Sequence, residues 1–385
     1  MRREFSDPRP DWAARVEEQG LSFHRTAHPE HLSRPYWDES VHYVFEMDEV
    51  LALEETVEEL HRMCLQAVEH VVTTGRYQVL GIPDWVAPLI EESWRRRDPH
   101  LYGRFDLRYD GNGPAKLLEY NADTPTALVE SSVVQWYWLK DVYPGDDQWN
   151  SIHERLVDRW KRIAPALGPS PVHFAWTKED ETGEEVMTIA YMQETAEEAG
   201  VRGMAIAMED IGWDPARGRF VDLAEEEIRT LCKLYPWEWI VSEPFARSIP
   251  QAPTGWIEPI WKMVLSNKAL LVLLWELFPG HPNLLPTYLN TPSNLTSYVQ
   301  KPLLGREGAS MRIVLPDGEE HRTDGEYGRE GFVFQEFCPL PDFDGEHPVL
   351  GAWVVEDESA GLGIRETAGL ITDDTSSFVP HRIAL

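Results

Sequence analysis

The stretch most informative about the fold runs from Tyr102 to Asn121 and reads YGRFDLRYDGNGPAKLLEYN. Polar and apolar side chains alternate over 102–110 and again over 115–121, which is the period of a strand with one buried face. Gly111-Asn112-Gly113 lies between the two halves, and this composition favours a tight turn. The segment is therefore predicted to form a β-hairpin.

One face of this hairpin collects oxygen-bearing side chains. With a loop of even length, the strand register places Asp106 and Glu119 on the same face, with Asn121 one step along it and Arg104 facing the group. Two carboxylates and an amide oxygen suit Mg²⁺, and the arginine would contact the same anionic ligand. The alternative is a solvent-facing side of the hairpin that carries charge pairs.

Two lysines near a glycine-bearing loop form a second candidate site. Lys268 opens a helix predicted over 266–278, and Lys301 lies in an apolar strand predicted over 297–304, just before the loop GREGAS (305–310). A lysine beside loop amides can hold phosphate oxygens. The Walker A pattern is absent, and the alternative for Lys301 is a solvated or snorkelling side chain.

Two weaker signals lie nearer the C-terminus. A strand predicted over 332–337 ends in QEFC (335–338), where a backbone edge beside an acid suits adenine and ribose. Arg365 lies in GLGIRE (361–366) and is a candidate cation for binding phosphate. The alternative is a surface ion pair with Glu366 or Asp373.

Composition excludes several classes of partner. The chain has 385 residues and a formal net charge of −31, so it is a poor candidate for binding nucleic acid or an anionic membrane surface. The charge fits a solvated acidic surface, and a cationic substrate is the alternative. No membrane span or signal peptide is predicted, and three widely spaced cysteines indicate neither a disulfide framework nor a metal site. Cytoplasm is the expected compartment.

The rest of the chain has a mixed helix and strand pattern. The clearest helix spans 48–74, where apolar residues recur at spacings of three and four before Gly75. Further helices are predicted over 184–199 and 223–234, and strands over 173–176, 204–208, 239–242, 311–315 and 350–357. The first ~45 residues are predicted to be irregular but packed, because their aromatic side chains favour burial.

The segment RFDLRYDGNGPAKLLEYNADTPT resembles the glutathionylspermidine synthase family, as do NKALL, QKPLLGREGAS, FQEF and GLGIRE followed by LIT. The resemblance extends from RPDW (9–12) and PYWDES (35–40) to LITDDTSSFVPH (370–381). Members of this family are ATP-grasp ligases that join a carboxylate to an amine. The resemblance implies an α+β ATP-grasp fold, in the permuted glutathione-synthetase-like arrangement, with nucleotide held between two sheet-containing lobes.

The resemblance also implies roles for individual residues. The metal ligands would be Asp106, Glu119 and Asn121. Arg104 and Arg365 would be catalytic, on the transferring phosphoryl group and on the acyl phosphate. The residues expected to contact ATP are Arg104, Asp106, Lys268, Lys301, Glu307, Gly308, Gln335, Glu336, Phe337, Cys338, Leu370, Ile371 and Thr372. The positions that resemble acceptor-binding residues are Thr124, Glu184 and Glu185.

The chain is expected to form one multilobed unit. Its parts would be residues 1–165 with the hairpin, an α/β substrate-side lobe over 166–258, and an ATP-binding lobe over 259–385. The sequence matches the ligase half of bifunctional family members without the Cys/His pair of their amidase, so product hydrolysis is not expected. ATP and Mg²⁺ are the implied cofactors. The implied partners are a small-molecule carboxylate, such as a thiol tripeptide, and an amine, such as a polyamine. The alternatives are a ligase acting on a peptide and an ATP-binding protein without turnover.

Overall fold

The computed structural model describes residues 1–25, 34–180, 182–372 and 376–384. The helices in these ranges are α1 Trp12–Glu18, α2 Met47–Thr74, α3 Ala87–Arg96, α4 Gln135–Val142, α5 Ile152–Leu167, α6 Glu184–Glu198, α7 Trp237–Ile240 and α8 Leu270–Leu277. The strands are β1 Arg2–Phe5, β2 Val41–Phe45, β3 Tyr102–Arg108, β4 Lys116–Asn121, β5 Val172–Trp176, β6 Gly203–Ala207, β7 Gly212–Asp214, β8 Arg219–Val221, β9 Thr230–Lys233, β10 Gly255–Ile257, β11 Thr287–Leu289, β12 Tyr298–Pro302, β13 Arg312–Val314, β14 Glu320–Arg322, β15 Phe332–Glu336, β16 His347–Val355, β17 Glu358–Thr367, β18 Ser377–Val379 and β19 His381–Ile383.

The predicted hairpin is confirmed and lies at one edge of the main sheet, whose strand order is β18-β17-β16-β3-β4. Asp106 lies opposite Glu119, and Arg104 lies opposite Asn121, as the alternation predicts. The register then shifts, because Leu107 pairs with Leu117 and Leu118 is skipped. This bulge bends the strand and leaves the backbone of Leu118 available for another partner.

Helix α2 is the long predicted helix, and it packs on the main sheet and on α8. A capping box between Glu46 and Glu49 satisfies its first amide groups, and Gly75 ends it in the left-handed conformation. The helix buries a continuous apolar stripe that includes Leu53, Val57 and Leu60. Each such side chain contributes about 1.5–3 kcal/mol when it is removed from water. Among the described residues, no helix combines the length and the apolar character that crossing a bilayer requires.

The middle of the chain forms a parallel sheet of order β10-β9-β5-β6, with α5 and α6 packed beside it. The helix predicted over 223–234 is wrong, because 230–233 form β9, a buried strand between β5 and β10. The strand predicted over 239–242 is also wrong, since Trp237–Ile240 is the short helix α7, which begins directly after Pro236.

The N-terminal residues are more regular than predicted. Strand β1 pairs with β2, and β2 pairs in parallel with β19 from the other end of the chain. Such a long-range pairing leaves no local trace in the sequence. The aromatic residues do pack as expected, with Trp37 stacked on Phe378.

A second antiparallel sheet, of order β11-β15-β12-β13-β14, follows α8. The loop 305–310 connects β12 to β13, so the predicted strand–loop–strand arrangement is confirmed. Helix α8 starts later than predicted, and the side chain of Asn267 accepts a hydrogen bond from the Ala269 amide just before it. The boundaries predicted near 165 and 258 stay predictions.

Candidate functional site

A cavity of about 1060 Å³ lies between the hairpin β3–β4, the second sheet and the N-terminal turn of α6. Most of the predicted site residues meet there. The predicted residues that line it are Arg104, Asp106, Glu119, Asn121, Thr124, Glu184, Glu185, Lys268, Lys301, Glu307, Gly308, Phe337, Cys338, Arg365, Leu370, Ile371 and Thr372. Gln335 and Glu336 do not line it.

Asp106 is held between two arginines. The Arg104 Nε atom donates to Asp106 Oδ1 at 2.9 Å, and Arg365 donates to Oδ2 at 2.7 Å. Asp106 is 4 % exposed and Arg104 is 7 % exposed, so this face of the hairpin is not a solvated charge pair. The Nη1 atom of Arg104 donates to the Thr126 carbonyl at 2.6 Å, which fixes the orientation of the guanidinium.

Arg365 does not form the alternative surface pair with Glu366. The Glu366 carboxylate turns to the opposite face of β17, where it accepts hydrogen bonds from Arg3 at 2.7 Å and Tyr43 at 2.6 Å. Asp373, the other alternative partner, lies outside the described residues. Arg365 therefore joins the hairpin site, although 259 residues separate it from Asp106 in the chain.

Glu119 is the second carboxylate of the hairpin face. It lies 3.0 Å from the Lys268 ammonium and accepts a hydrogen bond from the Asn121 amide at 3.2 Å. Burial alone would raise its pKa, but the charges of Lys268 and Lys301 outweigh burial and hold the pKa of Glu119 well below its ordinary value. Glu119 is therefore an anion at neutral pH.

The bulge in β4 explains where Lys301 is held. Its ammonium donates to the free carbonyl of Leu118 at 2.9 Å and to the Gln335 side chain at 2.7 Å. Lys301 is 6 % exposed, which excludes the alternative of a solvated side chain. Burial lowers the pKa of Lys301 to about 8, while Glu119 opposes this shift.

The end of β15 contributes to the apolar part of the cavity. Phe337 and Cys338 line it together with Val299 and Leu340. Gln335 is buried beneath this wall, where its amide bonds the Leu117 carbonyl and its oxygen accepts from Lys301. Gln335 thus orients the lysine rather than bordering the open space. The Glu336 amide is bonded to the Pro286 carbonyl.

The glycine loop closes one side of the cavity against the segment 370–372. Gly308 has φ of +68°, and a Cβ atom built there would lie 2.6 Å from Ile371 Cγ2 and 3.0 Å from the Thr372 carbonyl. The neighbouring Glu307 has φ of +50° and lines the cavity. A side chain at position 308 would therefore push the loop away from 370–372.

Two glutamates that line the cavity, Glu184 and Glu185, lie in the first turn of α6. Asp180 accepts hydrogen bonds from the amides that begin this helix, including those of Gly183 and Glu185. Burial raises the pKa of Glu184, and it raises the pKa of Glu185 to about 7. Thr124, the third predicted acceptor residue, accepts a hydrogen bond from Arg306 at 3.3 Å.

Sequence reasoning missed two residues that shape the site. Arg306 donates to Glu238 at 2.8 Å and joins the glycine loop to α7, and its place beside Glu307 in GREGAS was the available signal. Asp123 accepts from Lys233 at 2.6 Å and from the Trp237 amide at 2.9 Å. It ties the end of the hairpin to the parallel sheet.

The donor set of the hairpin fits a hard divalent cation. Asp106 and Glu119 are direct cross-strand neighbours, and Asn121 follows Glu119 on β4, so two carboxylates and one side-chain amide line the cavity. Among the described residues, no cluster of three or more His, Cys, Asp or Glu side chains has the geometry of a metal site. A bound cation would therefore need ligands from its own substrate in addition to these three side chains.

Comparison with known proteins agrees with this geometry. The model of the family described as glutathionylspermidine synthase preATP-grasp matches residues 3–384. A protein from Haemophilus influenzae named as an acid–amine ligase is 40 % identical over 97 % of both chains. Trypanothione synthetase of Crithidia fasciculata is 29 % identical over 85 % of this chain and 54 % of its own. The bifunctional glutathionylspermidine synthetase/amidase of Escherichia coli is 27 % identical over 84 % of this chain and 56 % of its own.

The chain thus spans about half the length of the last two relatives. Among solved structures, a glutathione synthetase-like effector from Globodera pallida aligns with a TM-score of 0.57 at 10 % identity, over 97 % of this chain and 95 % of its own. This likeness shows the glutathione-synthetase-like ATP-grasp fold that the family resemblance implied. The chain belongs to the glutathionylspermidine synthase family and is an ATP-dependent carboxylate–amine ligase.

Proposed function

We propose that the enzyme activates a substrate carboxylate as an acyl phosphate and then transfers the acyl group to an amine. The observation that supports this most is the cluster in which Asp106 is bonded to both Arg104 and Arg365, opposite Glu119 on the next strand. Positive and negative groups alternate there within hydrogen-bond distance. Such a cluster suits a reaction that moves a charged phosphoryl group between two oxygens.

Asp106, Glu119 and Asn121 would hold Mg²⁺ in this proposal. When bound, the cation neutralises the charge of the ATP phosphates and favours attack on the terminal phosphorus. Lys268 and Lys301 would bind phosphate oxygens from the second sheet. The apolar wall with Phe337 and Cys338 would border the adenine.

The two arginines would act on the reacting atoms. Arg104 would hold the transferring phosphoryl group and the carboxylate oxygen that attacks it. Arg365 would stabilise the charge on the acyl phosphate and on the tetrahedral species formed by the amine. The loop 305–310 and the segment 370–372 would exclude water, because an acyl phosphate that meets water is hydrolysed.

The glutamates at the start of α6 support an amine as the second substrate. Glu184 and Glu185 both line the cavity, where a negative charge would attract an ammonium group. The names of the relatives make glutathione and spermidine the first pair to test. A peptide acceptor is the second candidate. The non-catalytic alternative is set aside because the relatives are named as ligases.

The test measures ADP release from ATP and Mg²⁺ with glutathione alone, with glutathione and spermidine, and with glutathione and a dipeptide. Stimulation by spermidine supports the polyamine, stimulation by the dipeptide supports the peptide, and absence of both removes these two pairs of substrates. The matched variant is Asp106→Asn, which keeps the volume but removes the charge. We expect it to lower turnover by about 10²–10³-fold, as loss of one charged group at such a site does. Unchanged turnover would remove Asp106 from the proposed metal site.

A further inference from the structure

A buried acid that interacts with Glu184 has no role in the function proposed so far. Glu130 is 0 % exposed, and its Oε1 atom accepts a hydrogen bond of 2.6 Å from the Tyr36 hydroxyl. Its Oε2 atom is buried and has no hydrogen-bond partner among the residues that the structure describes. An unsatisfied buried carboxylate oxygen is costly, so its retention calls for an explanation.

Tyr36 connects this acid to the cavity. The tyrosine is part of the cavity wall, together with Arg104, Arg365 and Glu184. Because its hydroxyl hydrogen is directed to Glu130, the lone pairs of the same oxygen remain free to accept from a group in the cavity. Tyr36 and Glu130 therefore form a continuous path from the cavity to a buried carboxylate.

The backbone at Glu130 is unusual in a way that fits such a role. Residues Glu130–Val134 form a π-helical turn, a rare conformation that is frequent at functional sites. This turn packs closely on β17, because a Cβ atom at Gly363 would lie 2.4 Å from Ser131 Oγ. Gly363 is two residues from Arg365 on the same strand. The turn is thus placed against the strand that carries a proposed catalytic arginine.

The charge of Glu130 depends on its neighbours. The groups that face it are Tyr36, Glu184 and Arg104, and Tyr36 also faces Arg365. Burial and the negative charge of Glu184 raise the pKa of Glu130 to about 7, while Tyr36 and Arg104 oppose this shift. Burial keeps the pKa of Tyr36 well above its ordinary value. Glu130 can therefore gain a proton near neutral pH, and Tyr36 does not remain ionised.

We propose that Tyr36 and Glu130 accept the proton that the amine loses when it attacks the acyl phosphate. The amine nitrogen forms a bond to the acyl carbon, and the C–O bond to phosphate breaks with its electron pair on the phosphate. The N–H proton passes to the Tyr36 oxygen as the Tyr36 proton passes to Glu130. Tyr36 touches the amine, and Glu130 acts through Tyr36 as a positioning and proton-accepting residue. This inference rests on the acyl-phosphate route proposed above.

The test compares two nitrogen nucleophiles that differ in basicity. Tyr36→Phe, Glu130→Gln and the wild-type enzyme receive ATP, Mg²⁺ and glutathione, with either spermidine or hydroxylamine. Spermidine is a strongly basic alkylamine and must lose protons to react. Hydroxylamine is neutral at pH 7 and reports on the acyl phosphate through the coloured iron(III) complex of its hydroxamate. Tyr137→Phe is the matched control, because Tyr137 is an exposed tyrosine on α4.

We expect both variants to lose about 10²-fold in spermidine-dependent turnover, as removal of a proton acceptor does. Hydroxamate formation should stay close to that of the wild type, and so should both activities of Tyr137→Phe. In the wild type the spermidine rate should rise through about pH 7, and Glu130→Gln should lose this inflection.

Three results would overturn the proposal. If the two variants lose the same fraction of activity with spermidine and with hydroxylamine, Tyr36 and Glu130 have a structural role. If their spermidine-dependent turnover is unchanged, the proton passes to Glu184 or to water. If the wild type itself gives no hydroxamate, the acyl-phosphate route with glutathione fails, and the relay fails with it. If Glu130→Gln does not fold, the same comparison is made with Tyr36→Phe, which removes only one hydroxyl group.

Discussion

Lys301 is buried, yet the partners of its ammonium are two neutral oxygens, from Leu118 and Gln335. Its charge is balanced only at a distance, by Glu119 and Asp106. A negatively charged phosphate oxygen would therefore interact with the Lys301 ammonium more strongly than these two neutral oxygens do. Gln335 fixes the direction of the ammonium and is therefore as important to the geometry as the lysine itself.

The lowered pKa of Lys301 predicts a pH dependence of ATP affinity. In the nucleotide-free enzyme the ammonium loses its proton as the pH rises through about 8. Above that pH a proton must be taken up when phosphate binds, so affinity should weaken by up to about tenfold per pH unit. Calorimetric titration with ATP and Mg²⁺ between about pH 7 and 9.5 checks this range. Lys301→Met is the control: its affinity should be low at every pH. A wild-type ATP affinity that does not change with pH over this range would contradict the role of Lys301.

At the scale of elements, the glycine loop 305–310 and the segment 370–372 behave as a pair. They meet at Gly308, where the backbone has a positive φ and no room for a Cβ atom. The loop is also bonded to the segment that follows β14, because the Ser310 amide donates a hydrogen bond to the Asp324 carbonyl. Closure of the cavity therefore depends on one residue without a side chain.

Gly308→Ala should uncouple ATP use from amide formation. The added methyl group meets Ile371 and Thr372 and holds the loop open, so water reaches the acyl phosphate. We expect the ratio of ADP released to amide formed to rise. Gly318→Ala is the matched control, because Gly318 also has a positive φ, of +89°, but nothing lies within 4 Å of its Cβ position. Both substitutions cost about 1–2 kcal/mol in backbone strain. An equal ratio of ADP released to amide formed in the two variants would contradict the role of the loop in excluding water.

The elements that local patterns specify were predictable, and those that depend on distant pairing were not. The hairpin carries its alternation and its turn within twenty or so residues, so Asp106 and Glu119 could be placed side by side. Residues 230–233 follow an acidic, helix-favouring run, but pairing with two neighbouring strands determines their conformation. Arg365 joined the site through family resemblance, since no spacing rule relates it to Asp106. Tyr36 and Glu130 meet only in the fold.

At the scale of the whole molecule, cationic side chains gather at the cavity although the chain is strongly acidic. The chain carries a formal charge of −31, and six cationic side chains line the cavity together with nine carboxylates. The cationic side chains are Arg25, Arg104, Lys268, Lys301, Arg306 and Arg365. ATP must approach through a repulsive field before it reaches these cations, whereas a polyamine is attracted from a distance.

Ionic strength should therefore affect the reaction with ATP and the reaction with the proposed polyamine differently. Salt screens the outer field over a Debye length of about 10 Å at 0.1 M. We expect kcat/KM for spermidine to fall as KCl is raised, and kcat/KM for ATP to fall less or to rise. Steady-state kinetics over a series of KCl concentrations measures both, with uncharged glycerol at matched osmolality as the control. If kcat/KM for spermidine and kcat/KM for ATP decline in parallel, the acidic surface does not act on the two substrates as proposed.

The strand order of the main sheet has a consequence for biosynthesis. The hairpin β3–β4 leaves the ribosome well before its neighbour β16 and before the arginine that completes the Asp106 site, since Arg365 follows after a further 259 residues. At about 5–20 residues per second, the wait is roughly 13–50 s. During that time β3 has an unprotected edge, and a nascent chain that stalls before β16 holds the proposed metal-binding face without the rest of its sheet. Nascent chains of this enzyme thus complete the site only after β16 and β17 have been synthesised, and chaperones that shield strand edges would act on chains that have not yet reached that point.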